Sequence, residues 1–298
     1  STFCNNPSGS VVVGAVEYNT IIGNEMCGAG IAFIGNTETQ WNSHNIKDNV
    51  LDNEPILYFT NTNNIHISEP VSQIIVASSD GVVIENVFLQ RATYNIVIGY
   101  SSNVFITNTS SSKGTYGCYL RRTPSVHLSN VSFFENTLSG LVVEACDNLL
   151  VENSFFNEND VYGAMILSSD NLQFVSVEFK NNKNAGAALQ ITTNSWFENC
   201  IASGNQRGIH LEWYSNSNTI IKSVISNNSI YGVSVTYTEK LALEDVEFIN
   251  NGLYIQGTSY KYWNSHFIKN CTVNGKELIY LKDASGIQVS GNLSLIHI

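Results

Sequence analysis

The residues of this chain best suited to chemistry sit close together at Arg207, His210, Glu212 and Trp213. On a strand, an imidazole and a carboxylate two residues apart share one face. An adjacent indole can stack on a sugar ring, and the arginine can neutralise an acidic group, so the set is of a kind that serves acid–base work on a carbohydrate. Arg121 and Glu144 occupy equivalent positions of neighbouring segments and read as a structural ion pair. Glycoside hydrolysis wants two carboxylates converging in one groove, and lyase chemistry wants a base beside an arginine or calcium ion. Asp147, Glu158, Asp160 and Asp170 fall instead at turns, where such residues serve the backbone. No convergent catalytic set is expected, and the chain reads as a non-enzyme with no cofactor and no metal.

Whatever these side chains do, a repeat must position them. A Gly followed by alternating apolar residues recurs at Gly117, Gly140, Gly163, Gly186, Gly208 and Gly232, in steps of 22 to 24 residues. A second register runs through Val82/Ile84, Val104/Ile106, Val126/Leu128, Leu149/Val151, Leu172/Phe174 and Leu241/Leu243, and a third through Phe133, Phe156, Phe179, Ala202, Ile225 and Phe248. Three short period-2 segments per repeat exclude helical solenoids, whose apolar spacings are three and four, and predict three strands and three turns. The fold class is therefore all-β: a single-domain right-handed parallel β-helix with three strands per coil of roughly 22–23 residues and about ten coils. Residues 1–45 are expected to form an N-terminal capping region with the first coils, and 46–298 the β-helix. Asn136, Asn159, Asn182 and Asn228 each precede a repeat Gly by four residues, so a stacked amide ladder is predicted, and the Gly itself is assigned to a turn of positive φ.

Composition narrows the partners. Of 298 residues only 13% are charged, the net charge is −11, and there are 39 Asn. Such a surface repels a phosphate backbone, which excludes nucleic acid as a partner. No apolar run is long enough to cross a bilayer, so no transmembrane segment is expected. The sequence begins with Ser1 and has no preceding signal-like stretch, as expected of a processed chain. Sequons at Asn108, Asn130, Asn227, Asn270 and Asn292 suit an exported glycoprotein. Cys4 and Cys27 are the expected disulfide of the opening coils, Cys118 a buried thiol, and the six cysteines lack zinc-site spacing.

Two segments depart from the simple coil and match each other at an offset of 222: Leu51-Asp-Asn-Glu-Pro-Ile-Leu-Tyr58 through Ser68, and Val273-Asn-Gly-Lys-Glu-Leu-Ile-Tyr280 through Ser290. The second copy, beginning at Asn270, resembles the Asn-x-Val-Asn-Gly-Lys-Pro-Leu-Tyr-Tyr motif of the NosD-like right-handed β-helix family. The resemblance covers most of residues 45–298. It implies the β-helix and the company of exported and surface-layer proteins of archaea; the family's namesakes serve periplasmic copper-site maturation. With two Met and six scattered His, no copper site carries over to particular residues.

The outward columns are unexpectedly apolar. Val97, Tyr119, Val142, Met165 and Ala188 form one, and Val83, Phe105, Leu150, Trp196 and Ile220 another. Such stripes are expected either to be covered by the N-terminal residues or to make a self-association interface. The uncapped apolar pattern ending at Ile298 is expected either to continue in the natural chain or to pair with another protomer. These features favour an extracellular structural protein, a self-associating subunit of a cell-surface layer or sheath with possible glycans. The alternative is a carbohydrate-active or carbohydrate-binding β-helix, resembling a polysaccharide lyase, hydrolase or epimerase, with Trp196 and Trp213 as sugar platforms.

Overall fold

The computed structural model describes residues 1–4 and 11–283, and the backbone of 294–296. Nearly all regular structure is strand, wound into a right-handed parallel β-solenoid. A 13-stranded sheet runs the length of the molecule, a 10-stranded sheet forms the second face, and shorter sheets of three and seven strands form the third. Single bridges at Phe155 link these last two. The three registers are the three inward faces: the Phe133, Phe156, Phe179, Ala202, Ile225 and Phe248 column is fully buried, with adjacent rings 5.6 and 5.7 Å apart along its first three members.

The buried amide column is continuous. Asn136, Asn159, Asn182, Asn205 and Asn228 are joined side chain to side chain at 3.0–3.1 Å, and each Oδ1 also accepts a backbone N–H one coil before it, of Gly114 for the first and of the preceding Asn for the rest. This column explains the repeat glycines and corrects their sequence assignment. None of Gly117, Gly140, Gly163, Gly186, Gly208 or Gly232 has positive φ. They lie where a Cβ would meet the carbonyl of the next coil's glycine at 2.4–2.9 Å, with an Asn amide close by. Positive φ is carried instead by corner residues, among them Asn108, Asn130, Asn153, Asn171, Asn194 and Asn227, since Asn tolerates the left-handed region better than most residues. The Asn-rich composition thus has two structural uses. Cys146 occupies a corner position filled in other coils by Ser or Thr, and Cys200 one filled by Ser, Thr or Val. Their backbone N–H groups donate to Ser169 and Ser223, and burial pushes both thiols up to about 12.

The N-terminal residues do more than cap. Asn49–Leu51 and Glu54–Thr60 form an antiparallel hairpin within the long sheet, turning at Asp52 and Asn53, both with positive φ. Strand direction reverses there, and the core changes face with it. Met26, Phe33, Trp41, Leu51 and Ile56 form a second hydrophobic cluster with Ile75, Ala77 and Val97, which point outward from the main core, whereas Ile74, Val76, Ile96 and Ile98 belong to that main core. A small solenoid therefore lies against the outer face of the larger one. Buried Gln73 ties them together by accepting from Ile31 N–H (2.8 Å) and donating to the carbonyls of Ile31 (2.7 Å) and Tyr94 (2.8 Å). The change of core falls at the hairpin rather than at residue 45. Cys4 and Cys27 are joined on paired strands of this unit.

The segment at offset 222 repeats the device. Thr272–Val273 and Lys276–Tyr280 form an antiparallel hairpin around Asn274-Gly275. Each copy includes a Trp-Asn-Ser-His stretch, residues 41–44 and 263–266. Trp41 and Trp263 donate to the carbonyls of Gly35 and Gly257 (3.0 and 2.9 Å), and Ser43 and Ser265 accept from backbone N–H groups (both 3.0 Å). His44 and His266 bridge two backbone segments, accepting from Asn19 and Leu241 N–H at 3.2 Å and donating to the carbonyls of Gln40 and Tyr262 at 2.9 Å. Tyr58 and Tyr280 donate to the two Trp carbonyls.

Candidate functional site

The outward face of the long sheet carries two charged clusters. Near the N-terminal unit, on Tyr116–Arg121 and Ser139–Glu144, Arg121 pairs with Glu144 at 3.2 Å as the sequence predicts, and Glu144 also accepts from Tyr119. Asn36 of the N-terminal unit closes over this cluster, accepting from Arg121 at 3.3 Å, and leaves the Arg121 Nε without a partner. Tyr94 stacks on Tyr116 at 5.0 Å and meets Tyr119 edge-on. Burial, with smaller contributions from Tyr116 and Glu144, raises the Tyr94 phenol to about 12, and burial pushes Tyr119 well up too.

Farther along the same face, Arg207–Glu212 brings together three of the four sequence-predicted residues, and neighbouring coils add Tyr162, Asn184, Gln190 and Ser234. His210 Nε2 lies 3.2 Å from Glu212 and Nδ1 lies 2.7 Å from the Ser234 hydroxyl. Burial holds this imidazole below its ordinary value of 6.5, with Arg207 acting in the same direction and Glu212 against it. The neutral ring therefore donates from Nε2 to the carboxylate and accepts at Nδ1 from Ser234. Gln190 donates to the other oxygen of Glu212. Arg207 is held by Asn184 (2.7 Å) and Gln206 (3.2 Å), and among the described residues no carboxylate lies within 4.0 Å of it. Burial raises the Tyr162 phenol, Glu212 adds to the rise, and Arg207 opposes it, so both charges are felt at that ring. Trp213 stands at the adjoining corner, about half exposed and 5.5 Å from Tyr237. The arrangement offers a cation held by amides at one end of a strand and a carboxylate with a neutral imidazole toward its other end, all on one outward sheet face.

The supporting residues escaped sequence reading because they come from other coils. Ser234 and Gln190 lie one coil from His210 and Glu212 in the same columns, so strict use of the repeat could have found them.

The predicted apolar columns divide. Val97 is fully buried beneath the N-terminal unit, Val142 and Ala188 are 4% and 3% exposed, and Tyr119 and Met165 are half-buried. On the second sheet, Val83 and Leu150 are half-buried, and Phe105 and Trp196 are exposed at 45% and 40%. Ile220 is misassigned: it pairs with Phe197 and faces the core, while Thr219 is the outward partner of Trp196. A one-residue slip in counting a strand exchanges its faces. The sequon residues Asn108, Asn130, Asn227 and Asn270 are exposed corner residues. Asn292 lies outside the described residues.

A cleft of about 530 Å³ lies at the junction of the two solenoids, lined by Asp52, Glu54, Phe88, Gln90 and Arg91 among others. Its arginine is already paired with Asp52 at 3.8 Å, and it is remote in sequence from the His210 cluster.

Solved structures show the same fold at low identity. The A-module of the mannuronan C-5 epimerase AlgE6 of Azotobacter vinelandii aligns with TM-score 0.59 and 14% identity, covering 91% of this chain and 87% of its own. A mutant of the periplasmic alginate epimerase AlgG gives 0.61 and 13%, covering 77% and 59% respectively. ORF18 of Geobacillus virus E2 gives 0.55 and 14%, covering 84% and 52%. No curated protein matches the chain in sequence. The family described as periplasmic copper-binding protein (NosD) matches residues 60–230.

The residues present do not fit copper. Among those described, no three His, Cys, Asp or Glu side chains gather to hold a metal. Cys118, Cys146, Cys200 and Cys271 are buried, and both ring nitrogens of His44 and of His266 are engaged with backbone groups. No helix of the described residues is long and apolar enough to cross a membrane. With more than half its length matched, and with the coils and the fold that go with that match, the chain belongs to the NosD family.

Proposed function

We propose that this chain is an exported, carbohydrate-directed β-helix that seats a uronate-containing polysaccharide on the outward face of its long sheet. The observation that carries the reading is Arg207, a guanidinium with no carboxylate partner among the described residues, on the same strand as Glu212 and neutral His210. Arg207 pairs with the sugar carboxylate and draws charge onto it, acidifying the proton on the adjacent carbon. The His210–Glu212 couple accepts that proton. The carbanion then either takes a proton from water on the opposite face, giving epimerisation, or expels the oxygen substituent at the next carbon, which leaves as an alcohol on taking a proton from water, giving a double bond. The alginate epimerases that share the fold support the substrate class. The test is incubation with polyuronates followed by detection of an unsaturated product or an inverted sugar, both lost in Glu212→Gln.

A second reading, flank-to-flank self-association in a cell-surface coat, is favoured by exposed Phe105 and Phe267 on the second sheet, with glycans on the exposed sequon residues. Sedimentation across a dilution series tests it: concentration-dependent polymers support it, and a constant monomer rejects it.

A further inference from the structure

We infer that a second carbohydrate site, for a neutral hexopyranose chain, lies on the second sheet at Trp196, on a different face from the His210 cluster. Here a groove of about 410 Å³ runs between the coil of Gln173–Val175 and the coil of Trp196–Glu198. Its lining is one aromatic, Trp196, with Asn171, Gln173, Asn194, Glu198 and Val175. The indole is 40% exposed, although an indole without a role in the fold gains by burial. The residues paired with it in the coils on either side, Gln173 and Thr219, are polar.

An aromatic plate framed by amides matches a pyranose, which presents C–H bonds to the ring and hydroxyls at its edge. The charge pattern selects a neutral sugar. Glu198 is paired with Lys222 at 3.1 Å, so no cation in the groove's lining is free to receive a uronate or sulfate. A protein partner would bury a broader apolar patch than one indole set among amides. Parallel coils repeat every ~4.8 Å along the axis, so a glycan lying along the rod meets polar Gln173 and Thr219 in the coils on either side of the indole. With this site on one face and the Arg207 face on another, a mixed wall polymer could be held at two points, raising its effective concentration at the second site.

Native affinity electrophoresis in gels containing hydroxyethyl cellulose, laminarin or galactomannan tests the site. The wild-type chain is expected to be retarded by at least one of them. Trp196→Ala should weaken that retardation at least tenfold, Gln173→Ala should weaken it a few-fold, and Glu212→Gln should leave it unchanged. Because Trp196 and Gln173 are exposed, both variants should melt like wild type. Retardation by none of the three polymers, or equal retardation of Trp196→Ala, would overturn the proposal. So would conversion of an oligomer to a monomer by Trp196→Ala, which would make a second copy the occupant. The polyuronate assay is read separately, so either site can fail without the other.

Discussion

Arg121 and Arg207 stand on the same sheet, at opposite ends of their strands, and Glu144 and Glu212 share one column two residues from a half-buried ring, yet the two arginines are held differently. Arg121 is spent: Glu144 pairs with it at 3.2 Å, and Asn36 of the N-terminal unit covers it. Arg207 is held by amides alone, and the Glu212 carboxylate of its strand is turned toward His210. Covering one end of the outward face thus goes with a closed ion pair, while the open end keeps its cation available. The two glutamates occupy one column, and the arginines do not: Arg121 stands in that column one coil from Glu144, while Arg207 stands at the other end of its strand, so only the first pair can close.

That contrast can be broken by exchange of the two sites' acids. Glu212→Gln removes the proton acceptor and should lower turnover on a polyuronate by about 10²–10⁴, whereas Glu144→Gln should leave turnover within a few-fold of wild type. Steady-state rates on both variants check this. Arg207→Ala should come next, costing on the order of 100-fold, while Arg121→Ala should instead appear in thermal melts. There it leaves a partly exposed Glu144 unpaired and should cost roughly 1–2 kcal/mol after screening by solvent.

A smaller effect follows from the imidazoles. Burial keeps the folded-state values of His210 and His266 below 6.5. The unfolded chain therefore binds more protons in the window between those lowered values and 6.5, and stability there rises with pH. It is fully present above 6.5 and is lost progressively as the pH falls through the folded values. Melting temperature followed from pH 7.5 downward should begin to decline near 6.5, and His266→Gln should flatten part of that decline. The smallest effect is ionic. A net charge of −11 opposes a polyanionic substrate, so a few-fold gain in polyuronate affinity is expected between low and physiological salt, visible as a falling KM.

The coils were legible because their cause is local: each strand repeats inward residues at period two, and the stacked Phe and Asn columns follow from the 23-residue step. The ten long-sheet strands from Glu54–Thr60 to Leu253–Gln256 build the larger solenoid, and the turns of the N-terminal unit bring the total to about twelve, above the ten expected. What the sequence concealed depends on neighbours. Val97 looks like an outward apolar residue, and only the small solenoid lying over it makes it core. The repeat glycines resemble turn residues, but their reason is a carbonyl in the next coil. Ile220 was lost to a one-residue slip. The Trp-Asn-Ser-His stretch, present twice at the offset already visible between Tyr58 and Tyr280, was a readable signal for the whole hairpin device. His210, Glu212 and Arg207 were readable as a cluster, whereas the freedom of Arg207 depends on side-chain pairing that no spacing rule encodes.

The account rests on proton transfer at the carbon next to a sugar carboxylate, and NMR of oligouronides incubated with the chain in deuterated water measures it directly. Deuterium should enter at that carbon, or an alkene proton should appear, with the wild-type chain and with Glu144→Gln but not with Glu212→Gln. Absence of exchange with every uronate polymer tried, from folded protein, or equal exchange by Glu212→Gln, would contradict it.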